Sequence, residues 1–361
     1  MADNTETMQA IGISKFTTPS GYELMTLPRP AIEQPDELII KVHSASVNPV
    51  DVKKANGIFK MALKDEFPYI IGYDVAGVVA EVGSGVRNLK VGDEVYARLP
   101  EIYRGSWAEY AKSTEAFVAL KPTNMSFNEA ASLPLAAVTA LQAFNQYSGS
   151  LEGKTVFIPA GLSGTGAYAC QLAKNVFKAG KVITTVSTSK VPKVHDLLGD
   201  GVVDQVIDYT KEDVLKAIPP RSVDFVFDTM GQAMDFLPVM AEKDSFIVSI
   251  STLPSGKTLQ NAPILRGASN PSVPFVARAF LDAGDAYRRW RASRFGVTYM
   301  YIFLDPNAKD LDKMTKWAEE GKIKAVVGTV VPMKQFGKVV EALEVVYSGK
   351  GGLGKSVFEM A

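Results

Sequence analysis

The sequence predicts an α/β protein of two units, a β-rich barrel-like domain and a six-stranded doubly wound parallel sheet. Three observations carry this reading. Short β-type segments broken by turns run from Gln9 to about Ala119, apolar strands then alternate with amphipathic helices, and 361 residues exceed the size at which one core usually stops growing. A hydrophobic content of 47% supplies ample material for two cores.

In the first unit the candidate strands are "MQAIGISKF" (8–16), "DELIIKVHSASV" (36–47), "YDVAGVVAEVG" (73–83), "GDEVYARL" (92–99) and "SWAEYAKS" (106–113). Turn residues at 83–85 and 91–93 punctuate them, as a barrel requires. After Pro122 the period lengthens. A helix is expected in "NEAASLPLAAVTALQAF" (128–144), followed by strand and helix in alternation. "TVFIP" (155–159) precedes a glycine turn and a helix over 166–179. "KVITTVS" precedes "KVPKVHDLL", "VDQVIDY" precedes "EDVLKAI", and "VDFVFDT" precedes "QAMDFLPVM"; "SFIVSIS" and "VTYMYIFL" complete six strands. Apolar strands separated by helices imply a parallel sheet covered on both faces. From about Asp305 a mixed tail is expected to rejoin the first unit, which gives domains of 1–130 with 305–361 and of 131–304.

An extra segment, 270–296, interrupts the last two sheet strands. Its Val276, Phe280, Ala283, Tyr287 and Trp290 line one face of a helix, and five arginines flank them. Packing on its own domain, a lid and a subunit contact are the alternatives for that face.

Lys plus Arg total 39 and Asp plus Glu total 39, a balance without electrostatic pull toward nucleic acid or anionic membrane. The polar N-terminus does not resemble a signal peptide, and no apolar run is long enough to span a bilayer. The lone Cys170 suits a reducing compartment, so a cytoplasmic location is expected. With two histidines and one cysteine no metal site is expected.

The chemistry concentrates in "AGLSGTGAYACQLAK" (160–174), which follows an apolar strand and opens a helix. Gly161, Ser163 and Gly166 hold the three positions of a G-x-G-x-x-G turn, with Gly164 as a further small residue, and such a turn offers free N–H groups to a pyrophosphate. A tight structural turn is the alternative. About 20 residues past the glycines an NAD-binding sheet usually carries a carboxylate. Here the chain reads "VSTSK" (186–190), and Ser187, Thr188, Ser189 and Lys190 suit a 2′-phosphate, which points to NADPH. The missing acid also counts against S-adenosylmethionine.

The segments "VNPVDVKKANG" (47–57), "FPYIIGYDVAGVVAEVGSGV" (67–86), "VGDEVYA" (91–97), "GSWAEYA" (105–111), "QLAK" (171–174) and "IDYTKED" (207–213) resemble the zinc-free medium-chain dehydrogenase/reductase superfamily, in its quinone- and enone-oxidoreductase-like branch. The resemblance implies a GroES-like catalytic domain and a Rossmann cofactor domain. In zinc-dependent relatives a metal-binding cysteine would stand at Asn48 and a histidine at Tyr73. The implied reaction is hydride delivery from NADPH to an activated alkene or a quinone, without a metal. By the same resemblance, Asn48 borders the nicotinamide ribose or substrate and Thr139 the nicotinamide end. Ser163, Gly164, Thr165 and Gly166 hold the pyrophosphate, and Ser187, Lys190 and Tyr209 surround the 2′-phosphate. Gly231, Ile250, Ser251, Gly354 and Lys355 are further cofactor contacts. Many relatives have a tyrosine after this segment where the chain reads "NGIFK", and Phe59 cannot donate a proton. Tyr73, Lys53, Lys54 and ordered water are therefore the candidate proton sources, and Tyr73 is otherwise a wall of the pocket. Alternatives are a trans-acting enoyl reductase served by a carrier protein and a weakly catalytic NADPH-binding module. A homodimer is expected.

Overall fold

The computed structural model describes residues 6–266, 271–349 and 352–360. The polar residues 1–5 of the N-terminus and Asn270 at the head of the arginine-rich segment lie outside these ranges.

The first strands, β1 (Thr7–Ile13), β2 (Glu23–Pro28), β3 (Glu37–Ser46), β4 (Tyr69–Ile70), β5 (Asp74–Val82), β6 (Glu94–Arg98), β7 (Tyr110–Thr114) and β8 (Val118–Leu120), build two sheets. β1 joins β2 and β4, while β3 is shared, its first half pairing with β7 and its second with a strand from the far end of the chain. That sharing curls the larger sheet around Ile40, Val75, Val95 and the fully buried Trp107. A short helix, α1 (Pro49–Ala55), leaves β3 toward the cleft.

Where one helix was expected over 128–144 there are two, α2 (Phe127–Ala131) and α3 (Pro134–Phe144). Pro134 sits at the first turn of α3, where its missing N–H costs nothing and its ring ends the preceding helix. The doubly wound sheet follows: β9 (Thr155–Ile158), α4 (Gly164–Gln171), β10 (Lys181–Val186), α5 (Lys193–Leu198), β11 (Gln205–Asp208), α6 (Val214–Ala217), β12 (Phe225–Asp228), β13 (Ser245–Ser249), α7 (Gly256–Gln260), α8 (Phe275–Ser293) and β14 (Val297–Tyr301). All pairs are parallel and the order is β11-β10-β9-β12-β13-β14. The chain reverses direction across the sheet between β9 and β12, and in such sheets ligands bind at that switch point.

Two expected helices differ. The one over 166–179 ends as an α-helix at Gln171 and continues as a π turn over Leu172–Val176. "QAMDFLPVM" forms only a 3-10 turn at Leu237–Val239, because Pro238 cannot continue a helical hydrogen-bond ladder. The tail contributes α9 (Ala308–Glu319), β15 (Val327–Pro332), α10 (Phe336–Ser348) and β16 (Lys355–Glu359). β16 pairs with β3 and β15 with β16, so the last strands complete the first unit's sheet.

Candidate active site

Between β9 and α4 the backbone turns so tightly that side chains are excluded. A Cβ on Gly161 would lie 2.1 Å from Thr184 Oγ1 and one on Gly166 2.2 Å from the Ala160 carbonyl oxygen, both far inside van der Waals contact. Ser163 caps α4, its Oγ accepting from Gly166 N–H at 3.1 Å. The first turn of α4 thus opens at the carboxyl edge of the sheet, a cradle suited to a pyrophosphate. Gly354 reaches the same turn, its N–H donating to the Leu162 carbonyl at 2.8 Å. A Cβ on Gly164 would lie 2.8 Å from Lys355 Cδ, so the β16 strand brings Lys355 directly against the glycine turn.

At the tip of β10, Ser187 is half-buried and Lys190 donates to the Gly352 carbonyl at 2.6 Å. Burial, then Lys193, holds the Lys190 ammonium below the usual lysine range. Tyr209 is exposed. The sequence reading passed over Asp208, which ends the neighbouring strand and accepts from Thr188 Oγ1 at 2.6 Å and from Thr210 Oγ1 at 2.7 Å. These hydroxyls, Thr188 first, hold its carboxyl below the usual range. A groove of about 390 Å³ is lined by Thr188, Val191, Pro192, Asp208, Lys211 and others.

A second overlooked carboxylate, Asp228, organises the loop after β12. Its Oδ1 accepts the N–H groups of Met230, Gly231 and Gln232 at 3.1, 2.8 and 3.1 Å, and its Oδ2 takes Ala233 N–H and the Ser249 hydroxyl. The loop can bend this way because Gly231 adopts φ +82°, a conformation that disfavours side chains. Ser251 Oγ donates to the Thr229 carbonyl at 2.6 Å, and Ile250 packs on the main core. Thr139 lies buried on α3.

Where zinc ligands would stand there is instead a closed network. Asn48 is buried at the start of α1; its Nδ2 donates to Asp74 Oδ2 at 2.8 Å and its Oδ1 accepts from the Lys355 ammonium. Asp74 also accepts from Ser46 Oγ at 2.9 Å and from Leu135 N–H at 3.0 Å, and Lys355 Nζ lies 3.6 Å from it. Because Asp74 only accepts, Asn48 must turn its NH₂ toward it and its oxygen toward Lys355. Burial lowers the Lys355 pKa against the pull of Asp74 and Asp51. Asp51 accepts from Asn48 N–H at 2.6 Å, and burial followed by the Asp74 charge pushes its carboxyl up to about 8.

Tyr73, on the chain entering β5, is buried with its hydroxyl donating to Glu101 at 2.5 Å. Glu101 is itself paired with Lys54 at 3.1 Å and Arg104 at 2.9 Å, and both cations also bind Asp65. The Arg98 guanidinium lies 4.4 Å from the centre of the Tyr73 ring. Burial and Glu101 raise the phenol well above its ordinary pKa. The ring packs with Leu63, Ile264, Leu265 and Val273, so the segment ahead of α8 covers this side of the cleft. Phe59 borders the same cluster.

Among the described residues no group of three or more histidine, cysteine, aspartate or glutamate side chains could hold a metal ion. A family model described as "Alcohol dehydrogenase GroES-like domain" matches residues 34–123, and one described as "Zinc-binding dehydrogenase" matches 203–357. The chain is 37% identical over 321 residues to 2-methylene-furan-3-one reductase of Solanum lycopersicum, covering 87% of this chain and 70% of that protein. To the NADPH-dependent alkenal/one oxidoreductase of Arabidopsis thaliana it is 36% identical over 313 residues, covering 85% and 68%. Among solved structures, the quinone oxidoreductase of Coxiella burnetii superposes with a TM-score of 0.79 at 30% identity, over 99% of this chain and 100% of that one. With this likeness along the whole chain, and with Asn48, Tyr73 and their partners in place of a ligand set, the chain belongs to the zinc-independent medium-chain dehydrogenase/reductase superfamily, as an oxidoreductase of the quinone- and enone-oxidoreductase-like branch.

Proposed function

We propose that this protein reduces activated C=C bonds of enones and enals, or quinones, using NADPH. The observation that carries the reading is the buried Asp74–Asn48–Lys355 network lodged against the glycine turn. It sets a fixed amide and an ammonium where the cofactor cradle meets the barrel. Reduction of an isolated ketone builds charge on one oxygen, which a metal would ordinarily stabilise. A conjugated substrate spreads that charge, and preorganised hydrogen bonds and a nearby cation then suffice.

In this reading Ser163, Gly164, Thr165 and Gly166 hold the pyrophosphate, with Gly354 closing the turn from the barrel side. Ser187, Lys190 and Tyr209 take the 2′-phosphate. Thr139, Gly231, Ile250 and Ser251 line the nicotinamide end, and Asn48 orients the ribose or substrate. When bound, NADPH supplies the hydride, and the protein supplies position and electrostatics. Lys355 contributes positive potential where enolate charge develops. Tyr73 serves as wall, since its proton is held by Glu101. The relatives named for alkenal, furanone and quinone reduction support the substrate class.

The test is an NADPH-oxidation screen over quinones, short enones, 2-alkenals and enoyl thioesters, the last arm probing a carrier-borne substrate. Turnover of enones or quinones is expected. Silence throughout with NADPH bound would leave a non-catalytic module. Because Asp208 stands beside the "VSTSK" loop, the cofactor assignment needs its own measurement: Lys190→Ala is expected to weaken NADPH by about 10-fold to 100-fold, the worth of one charged hydrogen bond, and to leave NADH unchanged. Equal loss for both cofactors would refute the 2′-phosphate assignment. We propose a cytoplasmic location, which imaging of a fluorescent fusion checks against the chloroplastic and mitochondrial placement of its relatives from Arabidopsis thaliana and Homo sapiens.

A further inference from the structure

Arg98 ends β6 as a buried cation without a carboxylate. It is 6% exposed, and no described aspartate or glutamate lies within ion-pair distance of it. The cations around it are matched: Lys54 and Arg104 face Asp65 and Glu101, and Lys355 lies 3.6 Å from Asp74. The Leu99 carbonyl takes only the Nη1 of Arg98, at 2.6 Å; Nε is buried without a partner, and Nη2, also without one, keeps some solvent contact. Asp51 is near enough to feel the guanidinium charge, but burial and then the Asp74 charge push its carboxyl up to about 8. At neutral pH it therefore keeps its proton and supplies no counter-charge. A cation so placed has lost its hydration, a cost that an anion bound beside it offsets.

The position ties Arg98 to the reacting end of the cleft. It stands opposite Asp74 in the β5–β6 ladder, and opposed side chains share a face of the sheet about 4.5–5.5 Å apart. Asp74 in turn holds Asn48 and Lys355. The guanidinium also lies 4.4 Å from the centre of the Tyr73 ring, against the cleft wall. We propose that Arg98 determines specificity for a substrate that carries a carboxylate on its activated alkene, an acylacrylate rather than a simple enone. The guanidinium binds the carboxylate while Asn48 and Lys355 meet the ketone oxygen. This rests on the reductase reading above, which places the cofactor's phosphates at the glycine turn and at Lys190 and so leaves Arg98 to the substrate. Carboxylates take two parallel N–H donors from arginine, and Nε with Nη2 form the edge that lacks partners. Only the two alkene carbons separate ketone from carboxylate in an acylacrylate, a span suited to neighbouring side chains on one sheet face. The carboxylate is a handle and is unchanged by the reaction. The carbon bearing it gains the hydride of NADPH, the carbon beside the ketone gains a solvent proton, and NADP⁺ is left.

The experiment compares β-acetylacrylate with its methyl ester on the full chain, followed as NADPH oxidation, in wild type, Arg98→Met and Arg98→Lys. Wild type is expected to show the higher kcat/KM for the acid, although the ester is the more electrophilic alkene. In Arg98→Met the acid-to-ester ratio of kcat/KM is expected to fall about 10-fold to 100-fold, the worth of one charged hydrogen bond, chiefly through KM. Arg98→Lys keeps the charge without the fork, so its ratio is expected to fall less, and it carries the comparison if circular dichroism shows Arg98→Met unfolded. A merely structural arginine would lower both substrates together. An unchanged ratio in the variants, or a wild type that favours the ester, overturns the proposal and leaves the reductase reading standing. Silence toward the acid, the ester and every other enone and quinone refutes that reading instead. Calorimetric titration of β-acetylacrylate into the NADPH complex then decides the anion site: binding weakened about 10-fold or more by Arg98→Met supports it, and binding indifferent to the substitution overturns it.

Discussion

Replacing Asp74 by asparagine swaps one carboxylate oxygen for an amide and removes one charge at a point where four donors converge. Ser46 Oγ, Asn48 Nδ2 and Leu135 N–H lie 2.9, 2.8 and 3.0 Å from its two oxygens, with Lys355 Nζ at 3.6 Å. Whichever way the new amide turns, it opposes a donor with a donor on one side. A buried unsatisfied donor costs about 1–3 kcal/mol, and stranding a buried ammonium costs about 3–5 kcal/mol. Asp74→Asn should therefore lose about 4–8 kcal/mol. Lys355→Met leaves Asn48 Oδ1 without its donor and the buried Asp74 without its cation, for about 3–5 kcal/mol. In the double variant neither charge is stranded, so its loss should fall short of the summed singles by at least about 3 kcal/mol. Urea unfolding followed by tryptophan fluorescence reads this, because Trp107 is fully buried in the same core. Losses that add to within about 0.5 kcal/mol would show that Asp74 and Lys355 act independently, and the network would not be a unit.

Gly166→Ala should leave the far-ultraviolet circular dichroism intact yet weaken NADPH by about 100-fold, since its Cβ would meet the Ala160 carbonyl at 2.2 Å and displace the cradle; titration showing unchanged affinity refutes the assignment of the turn. Tyr73→Phe should lower stability by about 1.5–3 kcal/mol, the worth of a hydrogen bond to a charged group, with kcat changed less than about 2-fold if the ring is a wall. A large fall in kcat at unchanged KM would restore Tyr73 as the acid. Asp51 keeps its proton in the folded state up to about 8, while the unfolded chain releases it near pH 4. Its contribution to stability is therefore full below about pH 4 and is lost as pH rises to about 8. Asp51→Asn should flatten the decline in Tm between about pH 5 and pH 8, and an unaltered slope argues against the shift.

What the sequence showed of the fold was what depends on local periodicity. Alternating apolar strands and helices from Thr155 onward predict the six-stranded parallel sheet that is observed, because each strand is buried on both faces and each helix must cover it. β2 escaped notice because its residues are mostly exposed or half-exposed, so no alternation marks them. The helix expected over 232–240 failed at Pro238, and its first residues are held in a loop by Asp228, which accepts from the four successive N–H groups of Met230 to Ala233. On α8 the period correctly located an apolar face, but periodicity cannot say what that face meets.

The site divides along the same line. Gly161, Ser163 and Gly166 were legible because a tight glycine turn is written in neighbouring residues and its demand for missing side chains is local. The pairings that position the side chains were not, since Lys355 reaches Asn48 across 307 residues and Tyr73 reaches Glu101 across 28. Position 73 shows the limit most clearly. A tyrosine in place of a metal ligand is visible in sequence, but its partner is not, and the partner decides its chemistry. Two cations, Lys54 and Arg104, face two carboxylates, Asp65 and Glu101, in one buried cluster, while the Arg98 guanidinium lies over the phenol ring itself. Ionising Tyr73 would add a third buried anion beside Glu101, which burial and repulsion both oppose. That resistance to ionisation supports the proposed role of wall over acid, and the ring packs against Leu63, Ile264 and Val273 as a wall would.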